Sequence, residues 1–186
     1  MFVNFVPDKS GIMVHRTRLI LTRHGETLEN KKGVMQGHMP GTLSPLGIQQ
    51  AEDLAEKLRG EEIDAIVCSD LARSYDTARI IGKSRGLLPL STPLLREIDW
   101  GIYAGGKLAA IDWAHLPEGC ETLESLMQRA EKFIDWVCGE FPGKQVLAVG
   151  HGAINRAILV FREGKTVAEM ARMPIMQNTS FIRLNL

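Results

Sequence analysis

Five side chains along the sequence together supply what phosphoryl transfer requires when no metal takes part. A neutral imidazole can attack phosphorus in line, and guanidinium groups can neutralise the nonbridging oxygens through planar pairs of N–H donors. A carboxylic acid can protonate the oxygen that leaves. The chain offers two histidines, two arginines and a glutamate for these tasks, namely His24, His151, Arg23, Arg73 and Glu97.

Each of these residues has an ordinary structural explanation when it is considered alone. A histidine at the end of a strand usually belongs to a loop or to the core, and an arginine in a first helical turn usually faces solvent. A lone glutamate is most often an ion-pair partner. The prediction of a catalytic site therefore depends on the five residues meeting in one place.

Three predicted buried strands give a reason to expect that meeting. Apolar runs predict strands at 18–22, 65–68 and 145–149, of which the last is the clearest. Because ligand sites in α/β sheets lie beyond the carboxyl ends of the strands, polar residues that follow these strands should converge at one edge. They are Arg23-His24-Gly25, Ser69-Asp70 continuing to Arg73, and Gly150-His151-Gly152.

Helical segments between the strands indicate the fold class. Apolar stripes with helical spacing predict five helices, at about 45–58, 71–83, 122–136, 153–161 and 167–173. Two more strands are predicted at 94–95 and, as a closing edge strand, at 181–184. Strands that alternate with helices predict an α/β protein, a three-layer α/β/α sandwich around a mostly parallel sheet. Helices that start near Leu71 and Ala153 would direct unpaired N–H groups toward the predicted site.

The composition limits the kinds of partner that we expect. Basic and acidic residues balance at 22 each, and the resulting zero net charge argues against binding to nucleic acid or an anionic membrane through bulk charge. The amino-terminal residues lack a signal-peptide pattern, and no apolar run approaches the roughly 20 residues that span a bilayer. The three cysteines are widely spaced, and neither CxxC nor HExxH occurs, so we expect no metal site and no cofactor. Cys68 is predicted to be a core residue, and free thiols favour a cytoplasmic location.

The residues around His24 resemble the signature loop of the histidine phosphatase, or phosphoglycerate mutase-like, superfamily. The matching segment reads Leu21-Thr22-Arg23-His24-Gly25-Glu26-Thr27, with Asn30. Further segments resemble the family's motifs in the same order, namely Gln36-Gly37-His38 through Gln50-Ala51, Ser69 to Arg73 with Thr77-Ala78, Leu95-Arg96-Glu97 with Gly101 and Gly105, and Gly150-His151-Gly152. The resemblance runs through almost the whole chain from Arg18 onward, and so many ordered motifs are a strong indication of kinship.

The resemblance implies a role for each of the five candidates. His24 would be the nucleophile that becomes phosphohistidine. Glu97 would protonate the leaving alcohol and then help to activate the hydrolytic water. The oxygens of the phosphoryl group would be held by the remaining three, Arg23, Arg73 and His151.

Five further residues are candidates for substrate binding. The resemblance implies that Asn30 is an additional donor to the phosphoryl group. Gly25 and Gly152 would let the backbone pass close to a bound anion because they lack side chains. Gln36 could touch the substrate, and Asn178 lies in the segment Gln177-Asn178-Thr179, where relatives often have further pocket residues. A polar loop residue is the alternative for Gln36, and a turn before the last strand is the alternative for Asn178.

The chain is predicted to consist of an amino-terminal arm, residues 1–17, and one histidine phosphatase domain, residues 18–186. The segment around 105–120 lies where relatives often place a cap over the substrate, and because it is short we expect an open pocket. Phe2, Phe5 and Ile12 make the arm apolar enough to pack on its own domain or on a second copy, so a homodimer is one expected arrangement.

The expected activity is hydrolysis of a small phosphorylated metabolite. Residues 152–156 resemble the phosphatase branch, which includes α-ribazole phosphatase and broad-specificity phosphatases, more than the mutases. The alternatives are a phosphoglycerate mutase, which must protect its phosphohistidine from water, and a non-catalytic protein that binds phosphorylated ligands. Three cationic or titratable residues could bind a second anionic group of the substrate, or could be ordinary surface residues, namely Arg156, Lys107 and His38. Glu121 is interpreted as a residue that favours the start of the long helix.

Overall fold

A five-stranded sheet forms the centre of the protein in a computed structural model that describes residues 5–7, 13–107, 112, 113 and 115–186. The strands lie in the order β5-β4-β6-β3-β7. Their bounds are β3 Arg18–Arg23, β4 Ala65–Ser69, β5 Leu90–Thr92, β6 Gln145–Gly150 and β7 Phe181–Asn185. Within this sheet β7 runs antiparallel to β3 at the edge, as predicted for 181–184, and the other neighbouring strands pair in parallel.

Helices cover both faces of the sheet. Their bounds are α1 Leu28–Lys31, α2 Pro45–Lys57, α3 Ala72–Lys83, α4 Leu123–Glu140, α5 Gly152–Arg162 and α6 Val167–Met170. Successive residues of a strand point to opposite faces, so Leu19 and Leu21 pack with α4 and α5, whereas Ile20 packs with α2 and α3. The predicted three-layer α/β/α fold is therefore confirmed.

Side-chain caps mark the starts of α2 and α4. The Ser44 side chain accepts a hydrogen bond from the Gly47 N–H at the start of α2, and Pro45 occupies the first turn. The Thr122 side chain caps α4 in the same way. This helix extends to Glu140, one turn beyond the predicted end at 136.

The strand predicted at 94–95 is wrong. The chain forms the short strand β5 just before this point and then a 3₁₀ turn, Pro93–Leu95. Pro93 has no N–H to donate to a neighbouring strand, and the Thr92 side chain accepts from the Leu94 N–H instead. Leu95 is nevertheless fully buried, and this burial accounts for the apolar signal in the sequence.

Two of the predicted segments are described only in part. In the amino-terminal arm, β1 Phe5–Pro7 pairs with β2 Met13–His15 as an antiparallel hairpin, while Phe2 and Ile12 lie outside the described residues. Residues 108–111 and 114 of the segment around 105–120 also lie outside them. Among the described residues, no helix is both long enough and apolar enough to cross a bilayer.

Candidate active site

The carboxyl ends of β3, β4 and β6 bring the predicted residues together, as expected. The site is a small cavity of about 50 Å³, room for a group of only a few heavy atoms. The residues that line it include Arg23, His24, Asn30, Gln36, Arg73, Glu97, Trp100, Trp113 and Gly152. His151 is fully buried beside His24, with the two ring centres 5.0 Å apart, and is not among the lining residues.

The hydrogen bonds of His24 fix the protonation of its ring. Nδ1 lies 2.7 Å from the carbonyl oxygen of Gly25, and because a carbonyl only accepts, Nδ1 must carry the proton. Nε2 therefore has a free lone pair, which accepts a hydrogen bond of 3.3 Å from Nε of Arg73. Burial lowers the pKa of His24 well below its ordinary value, and the charges of Arg73 and Arg23 lower it further. The ring is therefore a neutral imidazole whose unprotonated Nε2 faces the guanidinium group of Arg73.

The lowered pKa values of His24 and His151 predict a dependence of stability on pH. Both rings are buried and resist protonation, whereas unfolded histidines take up a proton below about pH 6.5. The free energy of unfolding therefore decreases as the pH falls through about 6.5. Each such proton changes the free energy of unfolding by about 1.4 kcal/mol per pH unit. Between pH 7.5 and 5.5 the wild type should therefore lose about 1.4 kcal/mol more unfolding free energy than His24→Gln, which lacks one of these protons. Urea unfolding at the two pH values tests this, and equal losses in both proteins would contradict it.

The two arginines bring positive charge into the cavity, and none of the hydrogen bonds found for them in the described residues goes to a carboxylate. Arg73 lies in the first turn of α3, is 1% exposed and donates to the carbonyl oxygen of Gly37 at 2.9 Å. Arg23 donates to the carbonyl oxygen of Met176 at 2.9 Å, and its Nε has no partner in the part of the chain that the structure describes. Burial lowers the pKa of Arg73 to about 10, so that it stays charged near neutral pH. The pair forms a preorganised site for an anion.

Glu97 is held by the amino-terminal end of α5. Its Oε2 accepts from the N–H of Gly152 at 3.0 Å, and its Oε1 accepts from the N–H of Ala153 at 2.9 Å. Oε1 also accepts from the N–H of Ile98 at 3.0 Å. The N–H groups that were expected to face a bound anion thus hold the carboxylate of Glu97 beside the cavity.

Two amides line the cavity as predicted. The Oδ1 atom of Asn30 accepts from the N–H of Thr27 in the capping box of α1, which leaves the amino end of this side chain to serve a ligand. Gln36 is 6% exposed, and its Oε1 has no hydrogen-bond partner among the residues described. A buried polar atom without a partner is costly, so a ligand that donates to Gln36 would be favoured.

Gly25 and Asn178 have other contacts than predicted and lie outside the lining of the cavity. The Gly25 N–H donates to Oγ1 of Thr77 at 3.0 Å, and a Cβ at Gly25 would lie 2.4 Å from the carbonyl oxygen of Gly47 in α2. The close approach that requires a glycine is thus to this helix. Asn178 donates from Nδ2 to the carbonyl oxygen of His24 at 2.8 Å, and so steadies the strand end that carries the imidazole.

The contact between Gly25 and α2 predicts a loss of stability on substitution. Gly25→Ala would press a methyl group into backbone atoms and should lower the unfolding free energy by about 1–3 kcal/mol. Gly139→Ala is the matched control, because no described atom lies within 4 Å of its added Cβ and alanine favours the helix by about 0.5 kcal/mol. Urea denaturation measures both. Equal stability of the two variants would contradict the packing argument.

Two tryptophans form part of the wall of the cavity. Trp100 and Trp113 meet edge to face with ring centres 5.4 Å apart. The guanidinium of Arg156 lies 4.6 Å from the centre of the Trp113 ring. Arg156 is 5% exposed, so the interpretation as a surface residue is wrong, and burial lowers its pKa. Sequence reasoning missed Met35 and Ile175, apolar lining residues that no chemical motif marks.

The comparisons with known proteins point to one family. The sequence model of the histidine phosphatase superfamily (branch 1) matches residues 19–186. A protein of Yersinia pestis (strain Pestoides F), named probable phosphoglycerate mutase GpmB, is 34% identical over 151 residues, which cover 73% of this chain and 69% of that protein.

Solved structures of similar proteins extend over nearly the whole chain. Bacillus stearothermophilus YhfR has a TM-score of 0.84 at 28% identity and covers 90% of both chains. A mycobacterial glucosyl-3-phosphoglycerate phosphatase in complex with VO3 has a TM-score of 0.83 at 31% identity over 90% of this chain and 92% of that one. The α-ribazole phosphatase of Shigella flexneri has a TM-score of 0.81 at 27% identity over 91% and 90%. Together with the family match, these likenesses show that the chain belongs to the histidine phosphatase superfamily, branch 1.

Proposed function

We propose that the protein is a metal-independent phosphatase that hydrolyses a small phosphomonoester through a phosphohistidine on His24. One observation carries the proposal: a neutral imidazole with an unprotonated Nε2 shares a cavity of about 50 Å³ with two guanidinium groups, of which that of Arg73 is buried. The arginines attract the dianion, and the imidazole is in the protonation state that a nucleophile needs.

In the first step, Nε2 of His24 forms a bond to phosphorus while the bond from phosphorus to the alcohol oxygen breaks. Glu97 gives its proton to that oxygen, and the alcohol leaves. The hydrogen bond from Arg73 to Nε2 must give way as the phosphoryl group enters, which frees this arginine to bind a phosphoryl oxygen. Arg23 and the amides of Asn30 and Gln36 would contact the other oxygens.

In the second step, a water molecule attacks the phosphohistidine. Glu97 accepts the water's proton, the bond from phosphorus to Nε2 breaks, and inorganic phosphate departs. The carboxylate has the position for both proton transfers because the end of α5 holds it at the cavity wall. His151 packs against His24, and both of its ring nitrogens lack a hydrogen-bond partner among the described residues, which supports a role in binding the phosphoryl group once the group has entered.

A phosphoglycerate mutase is the second candidate, and the similarity to GpmB is the observation that favours it. A mutase retains its phosphohistidine long enough to return the group to a reoriented intermediate. Hydrolysis is favoured by two structural relatives, which are named as phosphatases of a glucosyl-3-phosphoglycerate and of α-ribazole.

The two candidates differ in their products. The protein is incubated in EDTA with an aryl phosphate and separately with 3-phosphoglycerate, and released inorganic phosphate and isomerised phosphoglycerate are quantified. Sustained phosphate release in EDTA is the expected result. Isomerisation without comparable phosphate release would replace the proposal by the mutase, and dependence of turnover on an added divalent metal would overturn its metal-independent mechanism.

A further inference from the structure

Arg129, an arginine of α4 that lies outside the cavity, binds the loop that carries Glu97. Arg129 forms a two-pronged ion pair with Glu121, with N–O distances of 3.0 and 2.6 Å. The exposed fractions of these side chains are 16% and 12%, so the pair is largely withdrawn from water. The interpretation of Glu121 as a mere helix-start residue is therefore too narrow.

The same guanidinium binds the backbone of the Glu97 loop. Nη1 donates to the carbonyl oxygens of Leu94 and Arg96, and Nη2 donates to the carbonyl oxygen of Glu97 at 3.2 Å. With the two hydrogen bonds to Glu121, all five N–H groups of Arg129 have an acceptor. A side chain whose every donor is used has one well-defined position.

Glu121 completes the connection from the other side. Its Oε2 accepts from the N–H of Asp99 at 3.1 Å, and its own N–H donates to the carbonyl oxygen of Asp99 at 2.7 Å. The backbone on both sides of Glu97 is thus fixed to one ion pair. His38 adds a hydrogen bond of 3.0 Å to the carbonyl oxygen of Glu97 from the opposite direction.

We infer that Arg129 and Glu121 are positioning residues that hold the Glu97 carboxylate in the geometry for proton transfer. The inference rests on the proposed role of Glu97 as general acid. Neither residue lines the cavity, so their effect on the reaction passes through the loop. A general acid displaced by about 1 Å can cost on the order of 10²-fold in rate.

The test depends on the leaving group. An alkyl phosphate needs a proton on its departing oxygen, whereas 2,4-dinitrophenyl phosphate has a stable anion as its leaving group. Arg129→Lys keeps a charge for Glu121 but lacks the planar fork that reaches three carbonyls. Because Glu97 also serves the second step, which both esters share, the quantity to compare is kcat/KM, which reports only formation of the phosphoenzyme. We expect kcat/KM for phenylethyl phosphate to fall ~10²-fold and kcat/KM for the dinitrophenyl ester to change less than about 3-fold.

Two further variants keep the test decisive. Glu121→Gln should show the same pattern in weaker form, and it serves if Arg129→Lys fails to fold. Lys132→Met is the matched control, because it removes an exposed cation of α4 that lies about one turn from Arg129. It should leave both rates close to those of the wild type.

The possible outcomes distinguish failure of the positioning role from failure of the proposed phosphatase activity. Equal loss with both esters, or no loss in either variant, would overturn the positioning role while leaving the phosphatase intact. In a Glu97→Gln background, Arg129→Lys should have no further effect with the alkyl ester, and an undiminished effect there would show that it does not act through Glu97. A wild type that hydrolyses neither ester would refute the proposed function itself.

Discussion

Replacement of His24 by glutamine should lower kcat by at least ~10⁴-fold, because it removes the nucleophile on which the covalent route depends. Glutamine can still accept the hydrogen bond from Arg73, so the arrangement of the cations should survive. The measurement is steady-state hydrolysis of an aryl phosphate in EDTA, together with rapid-quench trapping of the phosphoenzyme. Phosphohistidine is stable in base and labile in acid, which distinguishes it from a phosphoserine.

His115→Gln is the control for this experiment, since His115 is an exposed histidine that does not line the cavity. It should retain wild-type turnover and a normal phosphoenzyme. A phosphoenzyme that forms on the His24 variant, or turnover within 10-fold of the wild type, would place the nucleophile elsewhere and overturn the assignment.

Replacement of Glu97 by glutamine should lower kcat for an alkyl phosphate by ~10²- to 10⁴-fold, the usual contribution of a positioned general acid. The introduced amide retains one oxygen for the N–H groups of Gly152 and Ala153 but presents an amino group that cannot give up a proton usefully. Hydrolysis of 2,4-dinitrophenyl phosphate should lose far less in its first step, because that leaving group departs as an anion. The quantity to measure is therefore the ratio of kcat/KM for the alkyl ester to kcat/KM for the dinitrophenyl ester.

Glu131→Gln provides the comparison, because Glu131 is an exposed carboxylate on α4. Neither rate should change in this variant. A uniform loss of kcat/KM in the Glu97 variant across all leaving groups would indicate that Glu97 orders the cavity and gives no proton to the leaving group. The second step can be isolated by following decay of the trapped phosphoenzyme, which should also slow when the base that activates water is removed.

The sheet and most of its helices could be predicted because their signals are local. The apolar runs that end in Arg23 and Gly150 pair in register in the structure, so that two polar turns separated by more than a hundred residues become neighbours. The five chemically distinctive side chains could be found for a related reason, since most of them follow a strand or begin a helix.

The parts that sequence reasoning missed depend on tertiary contact. Nothing around Arg129 distinguishes it from other charged residues of an amphipathic helix, yet it binds three carbonyl oxygens of a distant loop. The close packing of Gly25 against Gly47 is likewise visible only when α2 is in place. The apolar residues Leu94 and Leu95 predict a strand, but they lie in a 3₁₀ turn that begins at Pro93. Proline has no N–H to donate to a neighbouring strand, and hydrophobic pattern alone does not reveal this effect.

The order of the strands has a consequence for how the chain reaches its native state. β6 lies between β3 and β4, so these two strands cannot complete their pairing until residues 145–150 have been made. During synthesis, the first 140 residues would therefore expose the edges of β3 and β4 that β6 later occupies. Pairing across such a distance in sequence is entropically slow, and we expect the sheet to assemble only after β6 has been synthesised, with chains shortened before β6 prone to aggregate.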